Sequence, residues 1–264
     1  HPFAVEIKDF TKPVDIPAVD VPAGYTTLFV FPYSVGFQFS GFKNLAALNE
    51  AITKRLKNLG VTTLLFMRHL ELIEYEIKIP GKEASGEYLL DAEPVNDHCT
   101  RVSAIESEDD KTDESLSFIK FSMPIDSRVS TRTIDVAFTV ATDKEGKTTF
   151  QKAKNPYISV YFPTETESKL DFIVQGPFRT TPNRSSVPAD EEENEALAEQ
   201  TAKLLRQSVL ELRDMGLLDL SLIRILPLDE DDFDVYPLFY PLYEEMRDLF
   251  SSERVFPVKD GKGY

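Results

Sequence analysis

From Leu70 to Phe150 the chain falls into runs that alternate apolar and polar residues, and that period of two excludes most folds. The runs are LELIEYEIKI (Leu70–Ile79), EYLLDA (Glu87–Ala92), CTRVSAIES (Cys99–Ser107), LSFIKFSMPI (Leu116–Ile125) and TIDVAFTVAT (Thr133–Thr142). Successive side chains of a strand point to opposite faces, so each run offers one apolar face and one wet face. Charged turns separate the runs, notably Glu108–Glu114 and Asp143–Lys147. The pattern predicts an antiparallel meander with one face buried.

The segments on either side are of mixed type. TTLFVFPY (Thr26–Tyr33) reads as a buried strand after a Pro-rich extended start. A helix is expected over Phe42–Leu59, with Leu45, Leu48, Ile52, Leu56 and Leu59 on one face, ended by Asn58 and Gly60. VTTLLFM (Val61–Met67) then reads as a second buried strand, which makes a βαβ unit. Beyond the meander, Asn155–Glu165 and Lys169–Phe178 are expected strands. A long helix starts near Asp190, with acids at 190–193 matching its dipole. Leu197, Thr201, Leu204, Leu205, Ser208 and Leu212 form its buried stripe, and Gly216 closes it. After LLDLSLIRILPL (Leu217–Leu228), a last helix is expected over Val235–Phe250, and Val255–Tyr264 resembles the start of a strand and turn. The expected fold class is therefore α+β. A βαβ unit and meander occupy residues 1–150, and a strand pair with two long helices occupies 151–264, either as two parts or as one continuous domain.

Composition removes several functions. The net charge of −16 repels nucleic-acid backbones and anionic membranes, so neither is an expected partner. No apolar run is long enough to span a bilayer. The single cysteine, Cys99, excludes an intrachain disulfide and fits a reducing cytoplasm. The start, without Met or a leader pattern, suggests a processed chain or a piece of a longer one. His1, His69 and His98 lack zinc spacing, and no Walker, G-x-G-x-x-G or G-x-S-x-G motif occurs. The glycines of Ser34–Phe42 are bracketed by aromatics, a poor phosphate cradle. Two acidic stretches are open to two readings. Glu108–Glu114 is a metal loop or a solvated hairpin tip. Leu228–Asp234, with five carboxylates, holds magnesium or flanks the last helix.

Within YFPTETESKLDFIVQGPFRTTPNRSSVP (Tyr161–Pro188), a strand end passes Arg179 and Arg184 into a polar loop just before the acidic helix. Arginine offers a rigid, always-charged fork of donors suited to phosphate or carboxylate. The two arginines either cap local backbone or pair with nearby acids, or they aim a cation out of the domain.

FVFPY followed by an amphipathic helix and TTLLFMRHLELIEYEI resembles the segment just downstream of the nucleotide-binding fold in sacsin-like ATPases of the GHKL superfamily, relatives of the heat-shock chaperone ATPases. VAFTVA, ISVYFPTE, FIVQGPFRTTPNRSSV, a long helix and LIRILP follow in the same order, so the resemblance spans Phe29 to Gly261. The superfamily's Glu…Asn helix, Asp-x-Gly-x-Gly motif and glycine-rich lid are missing. The resemblance thus implies a transducer-like middle region that does not itself hydrolyse ATP. ATP and Mg would be held by an adjacent N-terminal ATP-binding domain, and the other partners would be a second copy or a client protein. By its place after a strand and before a helix, TPNRSS (Thr181–Ser186) implies Arg184 as the γ-phosphate contact, Asn183 as its positioner and Arg179 as a second donor. The family's Ser-Arg-Glu triplet is absent, which leaves the donor open. An alternative is a non-enzymatic client- or partner-binding module using Tyr236, Phe239, Tyr240 and Tyr243, residues that could equally be core.

Overall fold

The computed structural model of the chain describes residues 42–67, 69–108, 111–126 and 129–256. The expected strand Thr26–Tyr33, the Ser34–Gly41 loop and the segment beyond Phe256 lie outside these. Two compact units are present, His1–Arg55 and Leu56–Tyr264. In the first, the described residues belong mostly to helix α1 (Leu45–Lys57). Its expected apolar stripe is only partly buried: Leu48 is covered, whereas Leu45 and Ile52 are exposed.

The second unit is α+β, with a mostly antiparallel sheet followed by helices. Its strands are β1 (Leu72–Ile79), β2 (Lys82–Pro94), β3 (Cys99–Glu108), β4 (Lys111–Asp126), β5 (Val129–Thr142), β6 (Thr148–Gln151), β7 (Tyr157–Val160), β8 (Phe162–Glu167) and β9 (Ile173–Gln175). Strands β1 to β5 form the expected meander in sequence order. Then β5 forks. Asp135–Ala137 pairs with β9, and Thr139–Thr142 pairs with β6. Strands on both sides of residue 150 therefore share one sheet. The order continues β5-β9-β7-β8, with β7 and β9 parallel.

Alternation along the strands divides the core into two faces. Ile119, Phe121, Ile134, Val136 and Phe138 face the helices. Phe118, Ala137, Val102 and Tyr88 face the other way, under Val61, Leu64, Leu65 and Phe66. That cover is not the strand expected over Val61–Met67. It is a 3₁₀ helix, Val61–Leu64, continued by a turn. Gly60 turns the chain at φ 84°, and successive i→i+3 bonds (Thr63 N–H to Gly60, Leu65 N–H to Thr62, Met67 N–H to Leu64) hold the tight winding. Lys120 Nζ donates to the Leu65 carbonyl at 3.2 Å, which pins the plug to the sheet.

The strand expected over Asn155–Glu165 is broken by Tyr161, at φ 65°, into the antiparallel pair β7–β8. The strand expected over Lys169–Phe178 shortens to β9. Helix α2 (Glu192–Asp214) buries all six stripe residues expected of it. Thr201 and Ser208 keep their hydroxyls satisfied there by donating to the Leu197 and Leu204 carbonyls, each at 2.7 Å. A short helix α3 (Leu220–Ile223) follows, capped by Asp219. The helix expected over Val235–Phe250 is a 3₁₀ turn, Pro237–Phe239, leading into α4 (Tyr240–Ser252). Arg206 of α2 clasps α4 through Glu245 (3.0 Å) and Asp248 (2.7 Å).

The end of α2 is a Schellman motif. Leu217 N–H reaches the Leu212 carbonyl and Gly216 N–H reaches that of Arg213, both at 2.8 Å, with Gly216 at φ 74°. A Cβ on Gly216 would meet nothing within 4 Å, so only backbone conformation is at stake. Gly216→Ala is expected to cost about 1 kcal/mol, read from the urea midpoint, through the left-handed penalty of a non-glycine residue.

Candidate functional site

The loop Arg179–Pro188 leaves the sheet through Gly176, Pro177 and Phe178. Phe178 is buried and stacks edge-on against Phe239, with centroids 5.9 Å apart. A Cβ on Gly176 would lie 2.9 Å from the Phe178 ring, so this close approach requires glycine. Thr181–Pro182–Asn183–Arg184 is a β-turn closed by the Arg184 N–H to Thr181 carbonyl bond at 2.7 Å, with Pro182 at the position that suits its fixed φ. Thr181 N–H then bonds the Ser186 carbonyl at 2.9 Å, closing the loop on itself.

Hydrogen bonds to other elements hold this loop to the body, among them Glu165 N–H to the Ser185 carbonyl at 3.0 Å. Val187 N–H donates to Thr166 Oγ1 at 3.0 Å, and Tyr236 Oη donates to the Val187 carbonyl at 2.7 Å. A further anchor is Asn194, in the first turn of α2 and fully buried. Its Oδ1 accepts from Arg179 N–H at 2.7 Å, and its Nδ2 donates to the carbonyls of Arg179 (3.0 Å) and Pro188 (2.8 Å). One amide thus ties together both ends of a ten-residue loop. Asn194 was not among the expected site residues. Its signal was modest: the one uncharged polar residue in the run DEEENE.

The three expected residues do different things. Asn183 folds the loop: its Oδ1 accepts from the Thr181 hydroxyl at 2.7 Å and from the Ser185 hydroxyl at 2.9 Å, the residues bracketing Arg184. Arg184 sits at φ 60°, and its Nη2 donates to the Val160 carbonyl at 2.9 Å, beside the left-handed Tyr161. Arg179 closes a two-bond fork on Glu193, Nε to Oε2 at 2.5 Å and Nη2 to Oε1 at 2.7 Å. That hydrogen bond, with the opposite charge, holds the Glu193 carboxyl below its usual range and raises the Arg179 guanidinium. The structure therefore sets both arginines on one loop but on different partners, one at the β7–β8 turn and the other at the head of α2.

The other sequence candidates have structural partners. Glu230, in the acidic stretch, accepts from Tyr240 Oη at 2.9 Å, and Asp229 caps a 3₁₀ turn. Phe239 is fully buried, and Tyr236, Tyr240 and Tyr243 pack against the same core. Glu114 pairs with Lys154 at 3.0 Å, while Asp109 and Asp110 of the expected hairpin tip lie outside the described residues. Cys99 is buried, and burial pushes its thiol up to about 11, far from a reactive thiolate. His69 and His98 are exposed. Among the described residues, no cluster of His, Cys, Asp and Glu is placed to hold a metal, and no helix is long and apolar enough to cross a membrane. No family model matches the chain, and neither a curated protein nor a solved structure matches it.

Proposed function

We propose that this chain is the middle, transducer-like region of a sacsin-like, chaperone-type ATPase, and that its Arg179–Pro188 loop carries an arginine to the γ-phosphate of ATP bound next door. One observation carries this reading: Asn194 clamps both ends of a loop that presents two exposed arginines. A preorganised guanidinium costs no ordering when it meets charge developing on a transferred phosphoryl group. Arg184, positioned by Asn183, and Arg179 are the donors available. They suit phosphate oxygens; magnesium and the base would be held by the adjacent domain. ATP offers a γ-phosphate contact that ADP lacks, so docking of this loop would report nucleotide state.

In the full-length protein, alanine at the donor arginine is expected to lower ATP turnover by about 10³-fold, the scale of an arginine finger. Arg179→Ala and Arg184→Ala are compared by single-turnover ATP hydrolysis, with circular dichroism confirming the fold. Wild-type turnover in both variants would remove the loop from the mechanism.

A further inference from the structure

Arg179 and Arg184 leave one loop with different attachments. Arg184 belongs to the folding of the loop, through its left-handed backbone and its bond to the Val160 carbonyl. Arg179 has a fixed backbone, because buried Asn194 takes both its N–H and its carbonyl. Its side chain is 60% exposed and grips Glu193, itself 63% exposed. Four glutamates surround the first turn of α2 (Glu191, Glu192, Glu193 and Glu195), all exposed. Among them Glu193 is the one in the fork.

A guanidinium fork that fits both oxygens of a carboxylate also fits two oxygens of a phosphate. An exposed pair of this kind is weak and screened by salt, so it exchanges readily with another oxyanion. We infer that Glu193 is an internal competitor at Arg179: its carboxylate fills the fork until the terminal phosphate of a polyphosphate displaces it. The identity of the anion rests on the nucleotide reading above; the exchange rests on the geometry of the pair. Arg179 is then the exchangeable contact, and Arg184 is the residue that holds the loop's shape. Displacement also frees a carboxylate among three others at the head of α2, so anion binding is felt directly by that helix.

The test titrates the chain with tripolyphosphate and with inorganic phosphate by calorimetry at low ionic strength. Glu193→Gln is expected to bind tripolyphosphate about fivefold more tightly than wild type, the size of an exposed pair that no longer has to be broken. Glu195→Gln removes the same charge two residues further along α2, outside the fork, so no bond has to be broken there, and it is expected to stay within about twofold. Adding Arg179→Ala to Glu193→Gln is expected to abolish the gain. Equal tightening by both glutamine variants, a gain that survives loss of Arg179, or no measurable binding by Glu193→Gln would overturn the exchange. Inorganic phosphate binding Glu193→Gln as tightly as tripolyphosphate would overturn the polyphosphate assignment. A full-length protein whose turnover ignores both arginines would remove the nucleotide reading and leave a measured exchange standing, so the two failures are separable.

Discussion

Replacing Phe138 by alanine is expected to cost about 3–5 kcal/mol of folding free energy, in the range for a large aromatic removed from a packed core. Phe138 is fully buried on the helix-facing side of β5, opposite Ile119 of β4. Its ring touches three others: Phe172 at 5.2 Å, Phe150 at 6.0 Å and Phe121 at 6.2 Å between centroids. These come from the approach to β9, from β6 and from β4, so one side chain of β5 joins two neighbouring strands and the segment entering a third. Its place in the register matters as much as its contacts. Ala137 is the last β5 residue paired with β9, and Thr139 is the first paired with β6, so Phe138 sits at the fork itself. A cavity there removes the packing that keeps the two branches apart. The loss is read from urea denaturation, and a thermal midpoint about 10 °C lower should accompany it in a unit of this size. Phe162→Ala is the comparison, since that ring is 49% exposed, and it should change stability by less than about 0.5 kcal/mol. A Phe138→Ala loss below about 1 kcal/mol would mean that the fork is held by its backbone pairing instead.

The meander was legible because alternation and charged turns agree at every strand, and a one-residue slip would have turned each apolar set to water. Helix α2 was legible because its stripe, its acidic first turn and Gly216 all point to the same element. Val61–Met67 was not. A short apolar run fits a buried strand and a buried helical turn equally, and tertiary packing decided for the turn. Tyr161 hid the β7–β8 break, because an aromatic residue at positive φ follows no local pattern. The four-residue β6 was too short to register, and its pairing depends on the β5 fork. The arginine loop could be located in the sequence, but its attachments could not. Arg179 meets a residue fourteen positions away and Arg184 one twenty-four positions away, and only the assembled sheet and helix set those distances.

Asn194→Ala is expected to cost about 3 kcal/mol, because three part-buried backbone groups lose their partner at once and each unsatisfied group costs about 1–3 kcal/mol before water relieves it. The three are Arg179 N–H, Arg179 C=O and Pro188 C=O. Asn194→Asp tests the same clamp differently. It keeps an acceptor for Arg179 N–H but loses both donor hydrogens, and it buries a carboxylate against two carbonyl oxygens. Its loss should equal or exceed that of alanine. The damage should also be local, unlike that of Phe138→Ala. Once its ends are released, the loop exposes the peptide bonds after Arg179 and Arg184, so limited trypsin digestion should cut there well before the helices and sheet open. A destabilised Asn194→Ala protein that is still cut no faster in this loop would show that the Glu165, Thr166 and Tyr236 anchors suffice to hold it. Asn194 would then be a support for the start of α2 and would no longer explain why the loop holds its arginines in place.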